Sequence, residues 1–260
     1  MVKKFNAITF LTDFGDFYPG VMKGVILGIA PDAKIIDITH GVEPQNVYQG
    51  AFLLLHSYRF FPPSIHVAVI DPGVGSSRRA IAIECKNHLF IGPDNGILYP
   101  ACVDDGIRRV WKIIEDKTFT FASSSTTFHG RDVFAPAAAL AFEGKLEDVA
   151  EEIETEEMKK LELYDCRVSG DEIHCRILFV DRFGNAVTNV PADLVKKLDA
   201  KGFYIGSAEF PLVKTYSCVE EGEPLALIGS FDTLELSVRN GDASRTYDLK
   251  SGKVVLKWRK

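Results

Sequence analysis

Apolar runs and amphipathic stretches alternate along the first 150 residues. Residues 20–30 and 47–58 carry apolar side chains at three- and four-residue spacing, which predicts two amphipathic helices, the first ended by Pro31 and the second followed by Pro62-Pro63. Short apolar runs predict strands at residues 7–11, 34–38, 65–70, 80–85 and 88–91. This alternation indicates an α/β fold with a mostly parallel sheet and helices on both faces.

The pattern changes after this region. A further helix is predicted to begin shortly after His129 and to run through the alanine-rich residues 135–142, where Pro136 is tolerated only in the first turn. Residues 143–162 are rich in acidic and other charged side chains, which predicts a solvated helix and linker. We therefore place a domain boundary near residue 165, with an α/β domain over residues 1–165.

The remaining 166–260 segment has the pattern of an all-β domain. Its β-rich runs are separated by Gly, Pro, Asn and Asp, and they lie at residues 173–180, 203–205, 225–228, 233–238 and 254–258. Such spacing predicts a smaller antiparallel, β-barrel-like domain.

Composition narrows the range of partners. The net charge of −6 offers no attraction to nucleic acid or to an anionic membrane, so a small-molecule ligand is expected. No uncharged apolar stretch reaches about 18 residues, and Asp13 and Asp16 interrupt the first apolar run too early for a signal peptide. The five cysteines are odd in number and contain no CxxC pair, which favours reduced thiols in a cytoplasmic protein.

Three aspartates follow predicted strands of the first domain. Asp13, Asp71 and Asp94, the last followed by Asn95, each lie in a turn-forming sequence at the carboxyl end of a strand. Ligands of open α/β sheets bind at that edge. A single such aspartate is more often a turn former that binds its own backbone, but three together favour a site.

Other residues could complete that site. Arg78 follows Asp71, and His129 lies after Phe128 just before a predicted helix, so a carboxylate, a guanidinium and an imidazole could share a pocket. A structural ion pair and a capping histidine are the alternative interpretation. The histidines lack the spacing of metal ligands, so no metal site is predicted.

One turn of the second domain also contains candidate functional side chains. Asp181, Phe183 and Asn185 follow the predicted strand 173–180 and would present a carboxylate, an aromatic face and a carboxamide together. An ordinary turn containing a glycine is the alternative.

Six motifs, in order and at compatible spacing, resemble those of the S-adenosyl-L-methionine hydroxide adenosyltransferases, which are relatives of the bacterial fluorinase and chlorinase. The motifs are Thr12-Asp13-Phe14-Gly15, Asp37-Ile38-Thr39-His40, Asp71-Pro72-Gly73-Val74-Gly75, Gly92-Pro93-Asp94-Asn95-Gly96, Phe128-His129-Gly130-Arg131-Asp132 and Asp181-Arg182-Phe183-Gly184-Asn185. The resemblance runs from about residue 7 to the end of the chain.

The resemblance implies hydrolysis of S-adenosyl-L-methionine (SAM) to adenosine and methionine, with SAM as substrate and no cofactor. It implies a homotrimer whose active sites lie between the first domain of one subunit and the second domain of its neighbour. It assigns Asp71, Arg78 and His129 to the preparation of water. It assigns substrate binding to Asp13, which would bind both ribose hydroxyls, and to Asp94, Asn95, Phe128, Asp181, Phe183, Asn185 and Ser230.

Two residues, Asp71 and Phe231, affect the expected nucleophile and the binding of the methionine part of SAM. Asp71 would repel a halide, so water is the expected nucleophile. The fluorinase has a Ser-Arg pair that holds the methionine carboxylate, and this chain has Ser230-Phe231 at that place. Ser230 and backbone N–H donors would therefore have to hold the carboxylate without an arginine. Two other functions stay open from the residues alone: a metal-dependent nucleosidase or amidohydrolase, and a sensor that binds SAM or adenosine without turnover.

Overall fold

The computed structural model describes residues 5–118 and 127–260. The chain divides into two compact units, Met1–Leu161 and Glu162–Lys260. The boundary predicted near residue 165 lies a few residues beyond this division. Over the described ranges, no helix has both the length and the apolar character that a transmembrane segment requires.

The N-terminal unit is built on one seven-stranded sheet with the strand order β2-β1-β3-β5-β4-β6-β7. Its strands are β1 (Ile8–Thr12), β2 (Ile35–Thr39), β3 (Ile65–Val69), β4 (Ala80–Cys85), β5 (Leu89–Pro93), β6 (Ile107–Ile113) and β7 (Ala150–Ile153). Strands β1, β2, β3 and β5 pair in parallel, whereas β4 is antiparallel to both β5 and β6, and β7 is antiparallel to β6. Only β4 and β7 therefore run against the rest, and the predicted mostly parallel sheet is confirmed.

Helices cover the two faces of this sheet. They are α1 (Tyr18–Ile29), α2 (Val47–Ser57), α3 (Tyr99–Asp105), α4 (Glu115–Thr118) and α5 (Ala135–Phe142). Helices α1 and α5 share a core with Ile8 and Phe10 of β1. On the other face, Gly50 of α2 lies so close to Ile70 that an added Cβ would be 2.7 Å from its Cδ1. The predicted α5 is confirmed, with Pro136 in its first turn.

The prediction of a helix within residues 143–162 was wrong. This segment forms two short 3₁₀ turns, Leu146–Asp148 and Thr155–Glu157, on either side of strand β7. β7 is an edge strand whose backbone pairs with β6, and its exposed Glu151 contacts Lys112 at 2.9 Å. The acidic side chains therefore belong to a charged sheet edge, where charges discourage pairing with another chain.

The C-terminal unit is an antiparallel, barrel-like sheet with the strand order β12-β11-β15-β9-β10-β14-β13, and β8 pairs with β9. Its elements are β8 (Arg167–Ser169), β9 (Glu172–Val180), β10 (Ala186–Pro191), α6 (Ala192–Leu198), β11 (Gly202–Ile205), β12 (Ala208–Pro211), β13 (Pro224–Ile228), β14 (Thr233–Val238), α7 (Ala243–Thr246) and β15 (Gly252–Arg259). A bridge between Leu212 and Ala226 brings the two ends of the sheet together. The interior is filled by Phe203, Phe210 and other apolar side chains from most strands. This confirms the barrel-like antiparallel fold.

Candidate active site

The loop after β3 folds back on itself and places Arg78 over Asp71. The Val74 amide donates to the Asp71 carbonyl at 3.3 Å, and the Ser76 amide donates to the Gly73 carbonyl at 3.1 Å. Gly75 has a φ of +75°, which a residue with a side chain adopts only with strain. The glycines of this motif therefore form a tight turn that positions an ion pair.

The ion pair of Asp71 and Arg78 is buried. Nε of Arg78 donates to both carboxylate oxygens of Asp71, at 3.0 and 2.9 Å, and Nη2 donates to Oδ2 at 2.6 Å. Each side chain is only 5% exposed. The guanidinium carbon also lies 5.3 Å from the centre of the buried Phe134 ring. Two adjacent N–H donors of the guanidinium, on Nε and Nη2, give this pair a fixed geometry.

His129 joins the pair through the same guanidinium. Nη2 of Arg78 lies 2.9 Å from Nδ1 of His129. Because arginine can only donate, Nδ1 must accept, and the neutral ring then carries its hydrogen on Nε2. His129 directly precedes a π-helical turn, Gly130–Phe134, that leads into α5, and its side chain is 9% exposed.

Glu115, the first residue of α4, is a fourth member that the sequence analysis missed. Its Oε1 lies 3.3 Å from Nη1 of Arg78 and 3.6 Å from Nδ1 of His129, the latter too long for a hydrogen bond. Its side chain is 35% exposed, unlike the other three. No pattern in the sequence distinguishes it from neighbouring acidic residues, since it lies in a short charged helix far from any glycine-rich turn.

A cavity of about 220 Å³ opens onto this group. Asp71, His129 and Thr127 are polar members of its lining, and most of the remaining wall is apolar or aromatic. Phe14, Tyr18 and Phe128 pack edge to face in that wall, with ring centres 5.0 to 6.2 Å apart. Gly130 fits tightly behind them, because an added Cβ would be 2.9 Å from Phe14. Phe128, a predicted substrate-binding residue, lies in this wall together with Tyr18 and Gly130, to which the sequence analysis assigned no role.

Three other predicted residues lie outside this cavity lining. Oδ2 of Asp13 accepts from the Gln45 amide at 2.8 Å. Asp94 forms a buried pair with Arg79, and Oδ1 accepts from the Lys159 amide at 2.8 Å.

The side chain of Asn95 also forms hydrogen bonds within the N-terminal unit. It donates from Nδ2 to the Ile70 carbonyl and accepts from the Ile97 amide. Asn95 therefore holds its own turn, whereas Asp94 joins its turn to Arg79 and to the Lys159 segment.

The predicted residues of the C-terminal unit line a second cavity, of about 570 Å³. Asp181, Phe183, Asn185 and Ser230 all contribute to it. Asp181 organises the turn: Oδ1 accepts from the amides of Phe183 and Asn185 at 2.8 and 2.9 Å, and Oδ2 accepts from Nδ2 of Asn185 at 2.9 Å. The Phe183 ring is consequently displayed at the rim, 78% exposed.

The first cavity has the parts needed to prepare a water molecule. A buried carboxylate offers a proton acceptor, an imidazole offers an N–H donor, and apolar walls limit the access of other water. Within residues 5–118 and 127–260, no three His, Cys, Asp or Glu side chains are grouped so as to hold a metal ion.

Comparisons with known proteins agree with this architecture. The model of the SAM hydroxide adenosyltransferase N-terminal domain matches residues 8–150, and that of the C-terminal domain of the same family matches residues 175–256. A solved structure from Thermotoga maritima, described as an uncharacterized conserved protein, aligns with a TM-score of 0.84 at 37% identity and covers 97% of this chain and 100% of that one.

Curated relatives include two proteins named (R)-S-adenosyl-L-methionine hydrolase. The one from Methanocaldococcus jannaschii is 39% identical, with 92% of this chain and 91% of that protein covered. The one from Thermus thermophilus is 35% identical, with 95% and 98% covered. A protein from Actinopolyspora mzabensis named fluorinase is 25% identical, with 95% of each chain covered. Because the two domain models together account for most of its length, the chain belongs to the SAM hydroxide adenosyltransferase family.

Proposed function

We propose that this protein is an enzyme that hydrolyses S-adenosyl-L-methionine to adenosine and L-methionine by attack of water on the ribose C5′. The observation that carries the proposal is the buried group of Asp71, Arg78 and His129 at an apolar-walled cavity. Relatives that are 34–39% identical over most of this chain carry the name (R)-S-adenosyl-L-methionine hydrolase.

The reaction needs a nucleophile more than it needs an acid. The water oxygen forms a bond to C5′, the C5′–S bond breaks, and its electron pair stays on sulfur, which leaves as the neutral thioether of methionine. One proton of the water is released. Bulk water, with a pKa of about 15.7, is scarcely ionised near neutral pH, so the site must bind water and remove that proton.

The tautomer of His129 decides where the proton goes. Nδ1 accepts from Arg78, so Nε2 presents an N–H that can donate to the water oxygen. Asp71 is then the proton acceptor of the group, and the guanidinium beside it balances its charge. Arg78 holds both groups in register, so the water is oriented before C5′ arrives.

The same carboxylate argues against a halide as nucleophile. A chloride or fluoride ion next to Asp71 would bring two negative charges together in a mostly apolar cavity, where like charges repel strongly. A water molecule is neutral, so Asp71 does not repel it, and the carboxylate accepts a hydrogen bond from it.

Assembly and location complete the proposal. We propose a homotrimer with substrate sites at subunit interfaces. Light scattering of the purified protein in solution tests the number of subunits directly. We also propose that the protein works in the cytoplasm, since none of its five cysteines, all of which lie in the described ranges, forms a disulfide, as expected in a reducing compartment. The partner is a small molecule, with no part for nucleic acid or membrane.

Incubation of the purified protein with SAM, followed by chromatography, tests the activity. We expect adenosine and methionine in equal amounts, and no halogenated nucleoside when chloride or fluoride is added. A 5′-halogenated product, or the release of adenine instead of adenosine, would contradict the proposal. A metal-dependent nucleosidase would lose activity with a chelator, and a sensor would bind SAM without forming product.

A further inference from the structure

A third cavity, of about 860 Å³, lies on the C-terminal unit, and none of its lining residues belongs to the two cavities described above. It is an open groove over β8, β9 and β15. Its lining contains the basic residues Arg167, His174, Arg176 and Lys253 and a single acidic residue, Asp165. A local excess of positive charge contrasts with the whole chain, which has 36 acidic and 30 basic residues. We call this cavity the basic groove.

Strand pairing gathers the basic side chains on one face of the sheet. Arg167 of β8 lies opposite His174 of β9, and Lys253 of β15 lies opposite Arg176 of β9. His174 and Arg176 are two residues apart, so they project from the same face of their strand. With strands about 5 Å apart and a rise of about 3.4 Å per residue, the four Cα atoms fall within roughly 7 by 10 Å. The long side chains can therefore reach one ligand.

The pairing of Arg176 with Lys253 places two positive charges directly opposite each other, which destabilises a sheet. Farther along the same two strands, Glu172 lies opposite Lys257, and Oε1 is 3.8 Å from Nζ. Opposite charges are thus paired at one end of this strand pair and like charges at the other. The like-charged end is the end that lines the groove.

The chain supplies little negative charge to the basic groove. Within the part of the chain that the structure describes, neither Arg167 nor Lys253 has a carboxylate within 4.0 Å. The acidic lining residue, Asp165, accepts at Oδ1 from Nδ2 of Asn189 at 2.8 Å. An anion from outside the chain would therefore balance charges that the fold itself leaves together.

The shape and lining of the groove favour a compact anion. Guanidinium groups match the oxygens of a phosphate group in geometry, and an ammonium adds a point charge. The other lining side chains are small and mostly apolar, and no aromatic ring among these described residues offers a nucleobase a stacking surface. A few cations within so small an area suit two or three adjacent anionic groups better than a nucleic acid, which needs many phosphate contacts.

We propose that the basic groove binds a compact oxyanion of the phosphate class, with two or more negative charges, through Arg167, Arg176 and Lys253. Free pyrophosphate and the diphosphate part of a nucleotide offer the same chemistry. The site lies apart from the residues assigned to SAM hydrolysis, so its occupation does not depend on that activity.

Calorimetric titration of the full chain with pyrophosphate, at an ionic strength of about 0.05 M where screening is weak, tests this proposal. The groove variant is Arg167→Gln/Lys253→Gln. The control variant is Lys257→Gln/Arg259→Gln, which also removes two cations of the same unit, each of them already near a carboxylate, Glu172 or Glu209. ADP and a hexaglutamate peptide are the comparison titrants.

We expect saturable one-to-one binding of pyrophosphate to the wild type and the control variant, weakened at least about tenfold in the groove variant. A smaller loss, an equal loss in the control variant, or no saturation up to about 10 mM would overturn the proposal. Tighter binding of hexaglutamate than of pyrophosphate would also overturn it, in favour of an acidic protein segment. ADP affinity within about tenfold of that of pyrophosphate indicates recognition of the diphosphate alone, and a larger ADP affinity that the groove variant loses indicates a nucleotide.

Discussion

Arg78 donates from one nitrogen, Nη2, to both Oδ2 of Asp71 and Nδ1 of His129, at 2.6 and 2.9 Å. One side chain thereby fixes the position of the carboxylate and the tautomer of the imidazole. The two groups that face the cavity then have different roles, because Asp71 can accept a proton and Nε2 of His129 can only donate a hydrogen bond while the ring is neutral.

Asp71→Asn is expected to lower kcat for SAM hydrolysis by about 10²- to 10⁴-fold, the usual contribution of a general base. The amide keeps the shape of the side chain and cannot take a proton. Steady-state kinetics with SAM, together with adenosine affinity from calorimetry, check this. Adenosine affinity should change little, and a variant that keeps more than about a tenth of wild-type kcat would rule out Asp71 as the proton acceptor.

The donor role of His129 predicts a graded series. His129→Gln can place an amide N–H near the former Nε2 position, whereas His129→Ala removes the donor. We expect His129→Gln to keep roughly ten times more activity than His129→Ala, since one hydrogen bond to a developing charge is worth about that much or more. Equal losses in the two variants would indicate that His129 acts as a base instead.

Glu115 is expected to be dispensable for the chemistry. Its carboxylate is 35% exposed and contacts Arg78 at 3.3 Å, and ion pairs open to solvent contribute little. Glu115→Gln should change kcat by less than about fivefold, measured beside Asp71→Asn as a matched removal of a carboxylate. A loss as large as that of Asp71→Asn would transfer the role of proton acceptor to Glu115.

Stability should depend on pH through a buried histidine away from the site. His66 on β3 is fully buried, with Nδ1 at 2.7 Å from the Thr9 hydroxyl and Nε2 at 3.0 Å from Nδ1 of His88. Burial, aided by neighbouring His88, lowers the pKa of His66 from 6.5 to about 3. The folded chain therefore resists a proton that the unfolded chain binds below pH 6.5, and stability is lost as the pH falls from 6.5 towards 3.

Urea unfolding at pH 7.5 and pH 5.0 checks this dependence. We expect the free energy of unfolding to fall by about 2 kcal/mol from this group between the two values. His174→Gln, which removes an exposed histidine, should keep that difference. His66→Gln should lower stability at both values and flatten the difference. An unchanged pH difference in His66→Gln would show that another group is responsible.

The turn that displays Phe183 depends on Gly184. Gly184 has a φ of +87°, and a Cβ there would lie 2.3 Å from Oδ1 of Asp242, the residue that caps α7. Gly184→Ala should therefore destabilise the protein by more than about 2 kcal/mol and weaken ligand binding in the second cavity. Gly206→Ala is the matched control, since Gly206 also has a positive φ and nothing lies within 4 Å of its added Cβ. Thermal unfolding and adenosine titration of the two variants measure the difference.

The sequence predicted the fold and the pairing of Asp71 with Arg78 because the signals for both are local. Asp71 and Arg78 are seven residues apart in a glycine-rich turn, and such turns at strand ends indicate a site in α/β proteins. Glu115 was missed because its contact with Arg78 joins segments 37 residues apart without any marking pattern.

Asp94 is a residue that the sequence analysis placed in the site and that the structure places in an ion pair outside the first cavity. Its sequence context matches that of Asp71, and yet its carboxylate pairs with Arg79 and the Lys159 amide. Only the register between β4 and β5, which sets Ala80 opposite Pro93, brings Arg79 to it. The strand β7 was likewise hidden, because its exposed glutamates suit a helix and only pairing with β6 selects an edge strand.

The central claim is that water attacks carbon under the control of Asp71. The most direct measurement is a reaction with SAM in water enriched in ¹⁸O, followed by mass spectrometry of the products. We predict one ¹⁸O atom at the 5′ oxygen of adenosine and none in methionine, with formation of labelled adenosine strongly reduced in Asp71→Asn. Adenosine without the label, or label incorporated at the wild-type rate in Asp71→Asn, would contradict the account.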